Sequence, residues 1–100
     1  RMGERLLAGL RAACAGRPWV AEVRGRGLMV GIEFADPETL NPRPDLVRGL
    51  LGAALNRRLI LLSCGTWGQV VRVIPPLVTT EDEIDLAVRL IGESLDEIGA

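Results

Sequence analysis

Arginine is the residue on which the chemistry of this chain depends. All twelve basic residues are arginine, and the sequence contains neither lysine nor histidine. A guanidinium keeps its charge and offers a planar fork of donors suited to a carboxylate, whereas a lysine amine can deprotonate and attack a carbonyl. The chain can therefore bind an acid, but none of its side chains can form a Schiff base.

One of these arginines, Arg72, lies between two apolar runs. The alternation of a strand places Val71 and Val73 on one face and Arg72 on the other, together with Val70 and Ile74. From the residues alone, two interpretations remain open. The arginine stem covers apolar surface while its head reaches water, or the fork lies at the mouth of a cleft and binds a substrate carboxylate through two parallel N–H bonds.

The two cysteines, Cys14 and Cys64, lie far apart in the sequence and form no CxxC pair. Without histidine they predict neither a zinc nor a haem site, and we expect no bound metal. We interpret both as small buried hydrophobic residues in a reducing compartment. A nucleophilic Cys64 is the alternative, but acyl transfer would lack a general base.

Length and composition indicate one soluble domain with one core. The 100 residues are 48% hydrophobic and 25% charged, and the net charge is −1. This balance provides no basic stripe for nucleic acid or an anionic membrane. No apolar run approaches the roughly 18 residues that cross a bilayer, and no signal peptide opens the chain. These features predict a cytoplasmic protein.

The spacing of apolar residues predicts the order α-β-β-α-β-β-α. This order favours an α+β fold of two layers, in which helices pack on one face of a small, mainly antiparallel sheet, with residues 1–100 forming one domain. The predicted elements are a helix over 2–14, strands over 19–24 and 28–34, a helix over 44–58, strands over 59–63 and 70–74, and a helix over 81–98.

Local signals support several of these boundaries. Thr80 followed by Glu83 predicts a capping box at the start of the last helix. Gly25 and Gly27 predict a hairpin turn that uses positive φ, and the first two strands should pair as that hairpin. Gly31, inside the second strand, is expected to permit close approach of a neighbouring element.

Two segments resemble class III aminotransferases. The segment LILLSCGTWGQVVRVIPPL (59–77) resembles the C-terminal region of that family, most closely the 4-aminobutyrate aminotransferases. The earlier segment VRGRGLMVGIE (23–33) is similar to the family's small-domain hairpin, in the same order and at a fitting distance. The resemblance spans nearly the whole chain, and its second segment is the more specific.

The resemblance implies the small C-terminal domain of a fold-type I enzyme that uses pyridoxal phosphate. The large domain, which holds the cofactor and its lysine, is expected to lie outside this chain, so no catalytic, cofactor-binding or metal residue carries over. The implied reaction transfers an amino group from 4-aminobutyrate or a similar ω-amino acid to a 2-oxo acid. The family usually forms homodimers.

One substrate-binding residue carries over by resemblance. Arg72 falls on the arginine that binds the substrate carboxylate, just before Pro75-Pro76-Leu77. Gln69 departs from the asparagine often found there. Trp67 matches a commonly aromatic position. It either contacts the substrate, or it covers the sheet edge or contacts the missing domain.

Three hypotheses of different classes follow. The first is an aminotransferase fragment, inactive alone because it has no lysine and inclined to self-associate through the face that the large domain would cover. The second is a free-standing α/β regulatory module that binds a carboxylate metabolite. The third is a structural assembly domain, which would form a stable oligomer and bind no ligand.

Overall fold

The chain folds in the order α-β-β-α-β-β-α that the apolar spacing predicts. A computed structural model describes residues 2–26, 29–59, 61–65, 68–73 and 80–100. Within these ranges the helices are α1 (Met2–Cys14), α2 (Pro44–Asn56) and α3 (Glu81–Ile98), and the strands are β1 (Val20–Arg26), β2 (Met29–Phe34), β3 (Leu62–Cys64) and β4 (Val70–Val73).

The ends of α3 follow directly from its sequence. The Glu83 N–H donates to Thr80 Oγ1 at 3.2 Å, and the Thr80 N–H donates to Glu83 Oε1 at 2.8 Å. These two bonds form the predicted capping box. The helix stops at Gly99, whose φ of 75° is in the left-handed region that favours glycine.

Helix α2 begins at Pro44 as predicted but ends two residues early, at Asn56. Arg58 has a φ of 63°, which a continuing helix does not allow. The Arg57 guanidinium instead donates to the carbonyl oxygen of Ala53 at 3.0 Å, so this cation satisfies one of the free carbonyl groups at the helix end.

The four strands form one antiparallel sheet in the order β1-β2-β4-β3. The predicted hairpin of β1 and β2 is confirmed. A bulge between Val20 and Glu22 interrupts its register, so the simple alternation expected along β1 does not hold there. Strand β4, which carries Arg72, lies between β2 and β3 and is therefore paired along both edges.

The sheet has two unlike faces. The covered face carries side chains of β2 and β4 that are at most 4% exposed and pack with all three helices in one core: Val30, Ile32, Phe34, Val71 and Val73. Helix α3 packs against α1 and α2, which contact the sheet. The opposite side, which we name the open face, carries Glu22, Arg24, Met29, Gly31, Glu33, Leu62, Cys64, Val70 and Arg72.

Two predictions about the strands are wrong. Gly25 does not form the turn: β1 continues through it, and Gly25 pairs with Val30 without a positive φ. Gly27 lies outside the described residues. The third strand was expected to be buried over 59–63, but β3 begins at Leu62 and is an edge strand, with Leu62 53% exposed. Its single neighbour, β4, shields only one of its edges.

Candidate functional site

The backbone of Arg72 is fixed on both sides. Arg72 pairs with Gly31 of β2 and with Leu62 of β3. Its β-branched neighbours Val71 and Val73 are buried in the core, which forces the arginine side chain to the open face, as the sequence predicts. The position of this cation is therefore set by the packing of the covered face.

The Arg72 guanidinium has no protein partner in the part of the chain that the structure describes. No carboxylate there forms an ion pair with it, and no hydrogen bond to it is found. The residue is nevertheless half-buried. A half-buried guanidinium whose donors no described residue uses is chemically suited to bind an anion.

A second arginine on the open face, Arg24, differs from Arg72 because carboxylates pair with it. Its Nη1 donates to Glu33 Oε1 at 3.1 Å and to Glu22 Oε1 at 2.5 Å. The hydrogen bond to Glu33, followed by the one to Glu22, raises the pKa of Arg24 above its ordinary value. Because two carboxylates already compensate this guanidinium, it is a poor site for a further anion.

Between these two arginines lies an open concavity of about 280 Å³. Apart from the guanidinium groups, the described part of its wall consists of hydrocarbon, sulfur and backbone. The described lining residues are Arg24, Gly25, Met29, Gly31, Cys64, Val70 and Arg72. A site of this kind, in which the described residues form an apolar wall beside a cation that none of them pairs, suits a small carboxylate with a short aliphatic chain.

The two cysteines lie in different surroundings. Cys14 is buried in the core, and burial raises the pKa of its thiol to about 11. This thiol is inert at neutral pH, as its interpretation as a core residue predicts. Cys64 is half-buried and forms part of the concavity wall, so its interpretation as a buried hydrophobic residue is wrong. Both thiols are free.

The sequence pointed to Arg72 alone, and the structure places it in the concavity. The Glu22–Arg24–Glu33 cluster and the wall positions of Gly31 and Cys64 were missed, because they depend on strand register. Trp67 and the segment 74–79, which includes Pro75-Pro76-Leu77, lie outside the described residues. Within the described ranges, no group of three acidic, histidine or cysteine side chains could hold a metal ion, and no helix is both long and apolar enough to span a membrane.

Residues 1–95 match the family described as Aminotransferase class-III. The chain belongs to this family. It is 38% identical over 97 residues to 5-aminovalerate aminotransferase DavT of Pseudomonas putida, covering 97% of this chain and 23% of that protein. It is 34% identical over 97 residues to 4-aminobutyrate aminotransferase GabT of Escherichia coli, covering 96% and 23% respectively.

Solved structures agree with this assignment. An aminotransferase from Bacillus anthracis superposes with a TM-score of 0.86 at 30% identity, over 96% of this chain and 23% of that one. The class III chain thus has the fold of the matching part of these enzymes. It spans about a quarter of the length of the relatives it matches, namely 23% of DavT.

The residues of this class III chain do not fit pyridoxal phosphate as the group is usually held. Enzymes of this chemistry bind the cofactor aldehyde through a lysine Schiff base. The sequence has no lysine, and the cation that no described carboxylate pairs in the concavity is an arginine, which does not form that bond. The described residues instead place in the concavity a guanidinium, whose planar fork of donors suits a carboxylate.

Proposed function

We propose that this chain is the C-terminal small domain of a pyridoxal-phosphate aminotransferase. The enzyme transfers an amino group from 4-aminobutyrate or a similar ω-amino acid to a 2-oxo acid, and Arg72 binds the substrate carboxylate. The observation that carries the proposal is the guanidinium of Arg72, half-buried and without an ionic partner among the described residues, in the wall of an apolar concavity.

The geometry supports a positioning role for Arg72. Two parallel N–H bonds fix both the location and the orientation of a carboxylate. Each charge-assisted bond is worth about 1.5 to 3 kcal/mol. Because the backbone of Arg72 is paired with strands on both sides, a carboxylate bound to its guanidinium would have a fixed position. The amino end of the substrate would then lie at a defined distance from Arg72. Small displacements of a bound substrate cost much of the rate.

The remaining parts of the enzyme lie outside this chain. We assign the cofactor, its lysine and the proton transfers to the large domain, and we expect these 100 residues alone to be inactive, since they contain no lysine. The partners are that large domain and a second subunit. Exposed Leu62 and Met29 on the open face support an association surface. The two free cysteines support a cytoplasmic location.

The test is Arg72→Lys in the intact enzyme, because lysine keeps the charge but loses the planar fork. We expect the KM for 4-aminobutyrate to rise by about tenfold or more, the equivalent of one lost charge-assisted bond, while the absorption spectrum of the bound cofactor is unchanged. Arg48→Lys is the matched control, because Arg48 lies exposed on α2. A KM for Arg72→Lys within twofold of wild type, about 0.4 kcal/mol, removes Arg72 from the substrate site.

The rival hypothesis is a free-standing module that binds a carboxylate metabolite, since the concavity is formed by this chain alone. It predicts that the isolated chain binds one amino acid or oxo acid with a definite affinity in a calorimetric titration. The aminotransferase proposal predicts only weak binding by the isolated chain, because the large domain would complete the site.

A further inference from the structure

Gly31 occupies a place where a glycine is not needed for folding. It lies inside β2, pairs regularly with Arg24 on one side and Arg72 on the other, and its φ is not in the left-handed region. Glycine in a strand interior weakens the strand and usually marks a bulge or a close approach of another group. No bulge interrupts the strand pairing at Gly31, so the first of these two reasons does not apply.

Among the described residues, none approaches Gly31 so closely that a side chain is excluded, contrary to the expectation from the sequence. A Cβ built at this position would lie 3.4 Å from Val70 Cγ1 and 4.0 Å from the Arg24 carbonyl oxygen, which are ordinary contacts. Gly25, one strand away, differs. A Cβ there would lie 3.1 Å from the backbone oxygen of Met29 and 3.0 Å from Val30 Cγ2, so packing accounts for that glycine.

What the glycine at position 31 does provide is room on the open face. Arg24, Gly31 and Arg72 stand side by side in one row across three strands. Neighbouring strands lie about 4.8 Å apart, so the two arginine backbones are roughly 10 Å apart with only hydrogen on the Cα between them. Any side chain at position 31 would project into the concavity beside the guanidinium of Arg72.

We propose that Gly31 is a specificity-determining position, an inference that rests on the proposed function. Its bare backbone gives space to the carbon chain next to the substrate carboxylate, with Met29 and Val70 as apolar walls and Arg72 as the anchor. The favoured substrates are ω-amino acids whose carbons nearest the carboxylate are unbranched. Gly31 touches the substrate chain and takes no part in proton transfer.

The experiment compares Gly31→Ala and Gly31→Val in the intact enzyme. Two donors are used: 4-aminobutyrate, and ethylamine, which has the same amino end but neither the carboxylate nor the carbon next to it. We expect Gly31→Val to raise the KM for 4-aminobutyrate by about tenfold or more and Gly31→Ala to raise it less. The KM for ethylamine should stay near wild type, because this donor has no carbon that would lie beside position 31.

Thermal unfolding separates this role from a structural one. Gly31→Ala should melt no lower than wild type, because the added Cβ has room and alanine is the better strand residue. Gly25→Ala is the matched control for the melting comparison: it should melt lower than wild type, because its Cβ would lie 3.1 Å from the backbone oxygen of Met29.

Three results would overturn the inference. The KM for 4-aminobutyrate is unchanged in Gly31→Val, or both donors are impaired equally, or Gly31→Ala melts well below wild type. A wild-type enzyme that transaminates neither donor defeats the proposed function itself, which distinguishes that failure from the failure of the role of Gly31.

Discussion

The two faces of the sheet differ in burial and in charge. On the covered face, Ile32, Phe34 and Val71 are completely buried among helices. On the open face, β1 carries Arg24, which two carboxylates compensate, β2 carries Gly31, and β4 carries Arg72, which no described carboxylate compensates. The covered face is organised for packing, whereas the open face retains a half-buried charge that no described neighbour compensates. Stability and binding can therefore be changed separately.

The largest expected effect is on the covered face. Phe34→Ala should lower the free energy of unfolding by about 3 to 5 kcal/mol, since it removes a fully buried aromatic ring from the core. Chemical denaturation of the chain measures it. Met29→Ala, on the open face and 44% exposed, is the control and should change the free energy by about 0.5 kcal/mol or less. Equal losses for the two variants would erase the distinction between the faces.

Thiol labelling gives the next largest contrast. At pH 8, Cys64 should react with a disulfide reagent in the folded chain, while Cys14 reacts only after unfolding. Burial raises the pKa of Cys14 from its ordinary 9.0 to about 11. This shift alone lowers its thiolate fraction by about a hundredfold. Rapid labelling of both thiols in the native chain would show that α1 does not pack as described.

The sequence predicts the covered face well, because burial repeats with the period of each element. Two features could be predicted from local sequence alone, without knowing which residues lie nearby in the fold. They are the apolar stripe of α1 that contains Leu6 and Leu10, and the capping box at Thr80. The alternation of residues along the strand predicts which face of the sheet carries Arg72. The substrate-binding role of Arg72 is predicted only by the resemblance to the family. The pairing of Arg24 with Glu33 and the position of Cys64 depend on which residues face each other across strands, and a single sequence does not encode that register locally.

A smaller effect compares the two arginines themselves. Arg24→Met should lower the free energy of unfolding by up to about 1 kcal/mol, because it breaks the hydrogen bonds to Glu22 and Glu33 on a partly exposed surface. Arg72→Met should leave stability nearly unchanged, since no described residue pairs with it. Denaturation at low and high salt measures both, and salt should reduce only the Arg24 effect. A larger loss for Arg72→Met would mean that its guanidinium has a structural partner.

The smallest effect is an acid dependence of stability from exposed ion pairs away from the open face. Asp45 accepts hydrogen bonds from Arg43 at 2.8 and 2.7 Å, and these bonds lower its pKa from the ordinary 3.8 to about 2. The hydrogen bond from Arg5 lowers the pKa of Asp85 in the same direction. A carboxyl group with a lowered folded-state pKa stabilises the fold above its unfolded value and loses that contribution as the pH falls through its folded value.

Unfolding free energy should therefore be level above about pH 5 and decline between about pH 4 and pH 2. Asp45→Asn should make the decline shallower, because the amide does not titrate. Denaturant titrations across this pH range measure the slope. A slope in Asp45→Asn as steep as in wild type would remove this pair from the acid response.

The most direct test of the central claim, that the open face supplies the carboxylate anchor of an aminotransferase, is the donor preference of the intact enzyme. The quantity is kcat/KM for 4-aminobutyrate divided by kcat/KM for butylamine, measured for wild type, Arg72→Met and the surface control Arg48→Met. We predict that Arg72→Met lowers this ratio by about ten- to a hundredfold, as the loss of charge-assisted bonds requires, while Arg48→Met leaves it unchanged. An Arg72→Met enzyme that keeps the wild-type preference would contradict the account.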